Sequence, residues 1–141
     1  MIIKQLSVFL ENKCGRLSEV SKILGNANIN MTALSIADTS DFGILRVIVS
    51  DPDRAITLLK QNNFSSSLTD VVCVICPNQP GALSKILDIL ESSDIQIEYL
   101  YAFSTDVSAN IVIRPTNVQK CIDILQQHEV DLLKQSDLYK L

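Results

Sequence analysis

The sequence has no tryptophan, few aromatic residues and only four glycines, which are too widely spaced to form a Gly-rich phosphate-binding loop. It has no run of Lys or Arg, and its formal net charge is −4. Nucleic-acid binding is therefore not expected, because neutralisation of phosphates supplies most of that affinity. No apolar run reaches the ~18 residues of a membrane span, and the N-terminus lacks a signal-peptide pattern. We expect a cytoplasmic protein that binds neither nucleic acid nor membrane.

Four cysteines and a single histidine give little basis for metal binding or catalysis. In a reducing compartment we expect Cys14, Cys73, Cys76 and Cys121 to be free thiols. Cys73 and Cys76 have CxxC spacing, but they lie in an apolar strand-like run, where positions i and i+3 face opposite sides. His128 ends a polar helical segment and is expected to be solvated. We therefore expect no cofactor, no metal and no enzyme activity.

The chain contains one module twice. Residues 8–18 recur as residues 74–84, and the offset of 66 holds without a gap as far as Gln61 and Gln127. Self-similarity at a fixed period indicates repeated architecture. We therefore predict two modules, residues 1–70 and residues 71–141.

Each copy predicts the same order of elements. Strands are expected at 2–10 and 71–76, then amphipathic helices, then second strands from Ile29 and Ile95, and third strands at 44–49 and 109–114. Asp51-Pro52 and the capping-box spacing from Thr116 predict the starts of the second helices. Last strands fit 64–69 and 130–139. The fold class is therefore α+β: two tandem ferredoxin-like βαββαβ modules, each an antiparallel sheet with helices on one face.

The two second strands differ in their side-chain alternation. In the first copy the apolar phase slips by one residue, which predicts a β-bulge near Thr32 and Ala33. In the second copy Tyr99, Tyr101 and Phe103 continue a strict alternation that begins at Ile95. This pattern predicts a regular strand, and we expect most of this aromatic face to lie under the helices.

The loop before each first helix is the strongest candidate for a binding site. Gly15 and Gly81 would let a ligand approach the backbone, and the first helical amides beyond them would form an anion site. Asn12 and Asn78 would add side-chain donors and acceptors. This arrangement suits the carboxylate and ammonium of a free amino acid. Alternatively, the glycines form only a tight turn that the asparagines cap.

The segment from Asn12 to Leu17, with Gly15 at its centre, resembles the ACT domain, and Pro77-Asn78-Gln79-Pro80-Gly81 resembles it again. That family is a βαββαβ regulatory module that binds small effectors, most often amino acids, at interfaces between paired modules. The resemblance assigns effector contacts to the loop and to a second-strand amide from the neighbouring module, here Asn30 or Gln96. The full candidate set is Asn12, Lys13, Cys14, Gly15, Arg16, Leu17, Asn30, Asn78, Gln79, Pro80, Gly81, Ala82, Leu83 and Gln96.

The resemblance implies a non-catalytic regulator that binds a free amino acid at the interface between its two modules. We also expect a homodimer, because small modules with an open sheet face usually need another surface to cover it. Cys14 stands where the family usually has proline, and Gln96 stands where it has asparagine, so the second site would take a different ligand or none. A second interpretation is a regulatory subunit that docks a metabolic enzyme and binds no metabolite. A third, less favoured, is a soft-metal carrier that uses Cys73 and Cys76.

Overall fold

A computed structural model of the chain describes residues 1–38 and 41–138. The elements in these residues are β1 (Ile3–Glu11), α1 (Arg16–Asn26), β2 (Met31–Asp38), β3 (Phe42–Val49), α2 (Pro52–Gln61), β4 (Ser66–Pro77), α3 (Ala82–Ser92), β5 (Ile97–Ser104), β6 (Ser108–Pro115), α4 (Val118–Gln127), β7 (Asp131–Leu132) and α5 (Gln135–Leu138). Each half follows the β-α-β-β-α-β order, and β4 runs from the end of the first half into the second. The predicted fold is confirmed.

The described residues form two compact units. We call Lys4–Thr69 the first module, and Asp70–Asp137 with Met1–Ile3 the second module. In the first module β3 pairs antiparallel with both β1 and β2. In the second, β6 pairs antiparallel with β4 and β5, and β7 adds to the other edge of β4. All of these strand pairs are antiparallel.

Each of the helices α1 to α4 ends in the same left-handed turn. After α1, Asn28 has a φ of 57°, its N–H donates to the Gly25 carbonyl at 3.0 Å, and the Ile29 N–H donates to the Leu24 carbonyl at 2.9 Å. This pair of bonds is the Schellman motif, which satisfies carbonyls at the helix end. The same two bonds recur around Asn63, Asp94 and Glu129.

The apolar side chains of each module are buried between the helices and one face of its sheet. The core of the first module comprises Leu6, Val8, Leu10, Val20, Leu24, Ile29, Leu45, Val47, Val49, Ala55, Leu59 and Phe64. The core of the second comprises Val72, Val74, Cys76, Ile86, Leu90, Ile95, Ile111, Ile113, Cys121, Ile122 and Leu125.

Both second strands contain a bulge, whereas the sequence predicts one only in the first copy. The register of β2 shifts between Met31 and Ala33, which confirms the predicted bulge. The register of β5 also shifts, between Ile97 and Tyr99. The prediction of a regular second strand in the second copy is therefore wrong.

The bulge in β5 reverses the expected orientation of its aromatic residues. Leu100 pairs with Ile113, which lies in the helix-covered core, so Leu100 is on that face. Tyr99, Tyr101 and Phe103 therefore point to the opposite face of the sheet. The expectation that these three rings lie under the helices is wrong, because one extra residue moves all later side chains to the other face.

The C-terminal strand is much shorter than predicted. Only Asp131–Leu132 pair with β4, opposite Ile75 and Val74. The chain then forms the short helix Gln135–Leu138, and Tyr139 lies outside the described residues. The polar residues at 134–137 include no β-branched side chain that would favour a strand.

The start of α4 lies one residue beyond the predicted cap. Asn117 is the N-cap, and its Oδ1 accepts the Lys120 N–H at 3.0 Å. The Thr116 hydroxyl instead donates to the Gln96 carbonyl at 3.3 Å. Asparagine is as good an N-cap as threonine, so the spacing alone did not distinguish the two.

Candidate functional site

Gly15 and Gly81 are the residues from which α1 and α3 begin, and both have a positive φ, 90° and 86°. A Cβ added to either would meet no atom within 4 Å. Glycine is therefore required by the backbone conformation and not by crowding. In the first loop the Arg16 N–H donates to the Lys13 carbonyl at 3.4 Å, and the equivalent bond in the second loop is 3.2 Å. The two loops form the same turn.

The N-termini of α1 and α3 differ from those of α2 and α4. The side chain of Asp51 caps α2 and that of Asn117 caps α4, each by accepting a first-turn N–H group. At α1 and α3 the N-cap is a glycine, and no side-chain cap is formed. Uncapped first-turn N–H groups at the positive end of a helix favour an anion such as a carboxylate.

An open cleft of about 300 Å³ lies beside the first loop, and we call it the first loop cleft. It is lined by Leu10, Glu11, Asn12, Lys13, Cys14, Arg16, Leu17, Ile36, Asp38 and Gly43. Leu17 and Ile36 are 41% and 46% exposed, so the cleft has an apolar side that solvent reaches. The structure thus brings five of the predicted loop residues together with residues of β2 and β3.

The basic side chains of the first loop cleft are already paired. Lys13 Nζ lies 3.0 Å from Glu11 Oε2, and Arg16 Nη1 lies 2.9 Å from Glu19 Oε2. The hydrogen bond from Lys13, together with the charges of Lys13 and Arg16, lowers the pKa of Glu11. The bond to Glu19 raises the pKa of Arg16. Because carboxylates offset both cations, the helical amides are the main attraction for an entering anion.

A smaller cleft of about 210 Å³ lies beside the second loop, and we call it the second loop cleft. It is lined by Cys76, Pro77, Asn78, Gln79, Ala82, Leu83, Leu100, Ala102, Ala109 and Ile111. None of these described lining residues is charged. The two loop cleft positions are equivalent in the repeat, but the second offers a ligand a neutral and more apolar surface.

Asn30 and Gln96 lie away from the loop clefts of their own modules. Each is the residue just before the second strand rather than a member of it, which corrects the predicted placement. The Asn30 carbonyl accepts the Ser50 N–H at 3.0 Å, and the Gln96 carbonyl accepts the Thr116 N–H at 2.9 Å. Both side chains are exposed. Gln96 lines a separate hollow of about 610 Å³.

The sequence pattern did not predict the second-strand residues that line the two loop clefts. Ile36 follows the bulge that the sequence predicts, so the slip in its apolar phase was a usable signal. Leu100 and Ala102 had no such signal, because the aromatic alternation of β5 indicated the opposite face. Gly15 and Gly81 line neither cleft and act as the N-caps, while Pro80 lines a different groove of the second module.

Within residues 1–38 and 41–138, no group of three or more His, Cys, Asp and Glu side chains is arranged to hold a metal ion. Among these same residues, no helix has the length and apolar character needed to cross a membrane.

The sequence matches the profile of the ACT domain pair over residues 1–141. The chain belongs to this family. Among proteins of curated function, none matches the sequence. The ACT pair is 57% identical to protein BT0572 from Bacteroides thetaiotaomicron, whose crystal structure superposes with a TM-score of 0.97 over 100% of this chain and 98% of that one.

Two more distant structures share the fold of this ACT pair. The ligand-free regulatory subunit of aspartate kinase from Thermus thermophilus is 13% identical, with a TM-score of 0.66 over 89% of this chain and 93% of that one. The corresponding subunit from Thermus flavus is 15% identical, with a TM-score of 0.59 over 89% and 92%. At these identities the likeness supports the architecture alone.

Proposed function

We propose that the chain is a cytoplasmic, non-catalytic regulatory protein that binds a free amino acid in its loop clefts. The observation that carries this proposal is that α1 and α3, alone among α1 to α4, start at a positive-φ glycine and lack a side-chain cap. The amides there suit a carboxylate, and the apolar cleft beside them suits a side chain. Four free cysteines fit a reducing compartment.

In this proposal a second copy of the chain completes each site. Asn30 and Gln96 lie outside the loop clefts of their own modules, so they would reach an effector only from a paired module. Leu17, Leu34 and Ile36 are 41%, 49% and 46% exposed beside the first loop cleft. These apolar side chains supply a surface that a homodimer would cover. Effector binding would then change how tightly the dimer is held.

A thermal-shift screen of the twenty free amino acids tests the proposal. A ligand that binds only the folded protein, at about 100 times its dissociation constant, stabilises it by about 2.7 kcal/mol. For a chain of this size the melting temperature would rise by roughly 5 to 10 °C. The Gly15→Val variant, which blocks the approach to the backbone, is expected to lose the response of the first site.

The exposed apolar residues also favour a second function, that of a subunit that docks a metabolic enzyme without binding a metabolite. The screen separates the two functions. A flat response to all twenty amino acids at millimolar concentration would contradict effector binding and leave docking as the function. A rise with one amino acid that is lost in Gly15→Val would support the first proposal.

A further inference from the structure

A further groove lies on the other side of each loop, and the two grooves occupy equivalent positions in the repeat. In the first module this groove is small, about 210 Å³, and lies next to Phe9, Arg16 and Phe64. In the second it is about 350 Å³ and lies next to the equivalent residues Ile75 and Ala82, with Val130 in the place of Phe64. We call them the first and second side grooves. The second side groove is the larger of the two, and its volume lies within the range of about 300–1,000 Å³ that is typical of pockets for small ligands.

The side chain of Arg16 narrows the first side groove. The guanidinium carbon of Arg16 lies 5.5 Å from the centroid of the Phe64 ring. The same guanidinium contacts Glu19 at 2.9 Å and Glu11 at 3.5 Å. This side chain therefore occupies the groove as a cation on an apolar surface, with carboxylates around it.

The second side groove lacks this internal cation and has different charges at its rim. Ala82 stands in the place of Arg16, and Lys85 in the place of Glu19. Glu129 and Asp131 replace the neutral Asn63 and Ser65. Among the residues that the structure describes, Lys85, Glu129 and Asp131 form no ion pair.

The two signs of charge come from different elements. Lys85 lies in the first turns of α3, whereas Glu129 and Asp131 flank Val130 at the start of β7. Between them the floor is apolar: Ile86 is 6% exposed, and Ile89 is half-buried. A ligand here would meet an ammonium on one side, carboxylates on another and aliphatic carbon beneath.

We propose that the second side groove binds a small zwitterion with an aliphatic side chain, that is, a free amino acid of the leucine type. Its ammonium would lie near Glu129 and Asp131, which stand where the first module has the neutral Asn63 and Ser65. Its carboxylate would pair with Lys85, and its side chain would pack on the isoleucine and valine floor. This site is separate from the loop clefts and does not depend on whether they bind an effector.

Methyl NMR of the full chain, titrated with L-leucine, tests this proposal. The methyl groups of Ile89 and Val130 line only the second side groove, whereas Leu100 lines only the second loop cleft. Saturable shifts of Ile89 and Val130 are expected. The analogues 4-methylpentanoate and 3-methylbutylamine, which each lack one charge, should bind about two- to fivefold more weakly, since the ion pair that each loses is with an exposed side chain.

Substitutions of the charged residues test which of them contact the ligand. Lys85→Gln and Glu129→Gln should each weaken the Ile89 and Val130 response about two- to fivefold, because both side chains are exposed. Lys120→Gln, which removes a lysine outside the groove, should not. Leucine shifts confined to Leu100, or no shifts at millimolar leucine, would overturn the side-groove proposal, and the first outcome would leave the loop-cleft function intact. Shifts that persist unchanged in both groove variants would overturn it as well.

Discussion

The guanidinium carbon of Arg16 lies 5.5 Å above the ring of Phe64, and the two residues at the same positions of the second module, Ala82 and Val130, cannot form this contact. The two modules share their backbone turns, their helix ends and their core positions. They differ in what fills the groove beside the loop. The side chain of Arg16 therefore narrows the first side groove, whereas no equivalent side chain narrows the second side groove.

Arg16→Ala should open the first side groove at small cost. The cation–π contact and the ion pairs with Glu11 and Glu19 are open to solvent, so their loss should lower the free energy of unfolding only slightly. Urea denaturation would measure the loss, with Lys22→Ala on the same helix as the control. A crystal structure of Arg16→Ala should show a groove that approaches 350 Å³, the volume of its equivalent. An unfolded variant would contradict this account.

Gly15→Ala and Gly81→Ala should destabilise the chain through the backbone alone. Nothing lies within 4 Å of either added Cβ, so the cost is that of a left-handed conformation, about 1–2 kcal/mol. Gly25→Ala is the matched control, because it lies in α1 without a positive φ and should stabilise by about 0.5–1 kcal/mol. Equal effects at all three positions in urea denaturation would contradict the assigned conformations.

Much of the fold follows from the repeat and from short-range patterns. The 66-residue offset predicts two modules, the apolar spacing predicts four helices, and Asp51-Pro52 predicts the start of α2 as found. The bulge in β5 was not predictable in this way. Its aromatic alternation is uninterrupted in sequence, and the extra residue, Glu98, is recognised only from the pairing with β6.

The candidate site was predicted only in part, for a similar reason. Gly15 and Gly81 are local signals, since a positive φ depends on the residue itself. The walls of the loop clefts come from β2, β3, β5 and β6. Which side chains of these strands face a cleft depends on the strand register. Ile36 and Leu100 reach the clefts only through that register. Sequence spacing therefore located the loops but not the shape of the clefts.

Glu129→Asn should stabilise the protein in the absence of ligand. Glu129 has a φ of 58° after α4, at a position where the first module has Asn63 with a φ of 65°. Asparagine tolerates this conformation better than glutamate. The expected gain is about 0.5–1 kcal/mol, part of the 1–2 kcal/mol that a left-handed residue costs. The reverse exchange, Asn63→Glu, should lose a similar amount, and a gain from both changes would contradict the argument.

The buried thiols should make stability fall at alkaline pH. Burial raises the pKa of Cys73 to about 12 and that of Cys121 to about 11. In the unfolded chain these thiols ionise near pH 8.5–9, so the unfolded state gains stability from there until the folded pKa is reached. Each thiol contributes a fall of about 1.4 kcal/mol per pH unit in that window.

Cys73→Ala should remove part of this alkaline slope. Urea denaturation at about pH 8, 9 and 10 gives the free energy of unfolding as a function of pH. The exposed Cys14 is the control, and Cys14→Ala should leave the slope as it is. If Cys73→Ala lowered stability equally at every pH, the thiol would contribute packing but no proton linkage.

The amides of Asn30 and Gln96, which lie outside the loop clefts of their own modules, should contribute unequally to effector binding. If the first site is the principal one, Asn30→Ala should remove a hydrogen bond to a charged end of the effector and weaken binding about ten- to a hundredfold. Gln96→Ala should cost less, because the second loop cleft is uncharged and its amide is one methylene longer. Calorimetric titration with the amino acid found in the screen would measure both.

The unliganded stability of these variants separates a binding role from a structural one. Asn30 is exposed, so Asn30→Ala should change the melting temperature far less than it changes binding. Asn12 lines the first loop cleft, so Asn12→Ala should also weaken binding. Normal binding by Asn30→Ala would remove that residue from the site. Loss of binding in Gln96→Ala alone would instead make the second module the principal one, because only its amide would then contact the effector.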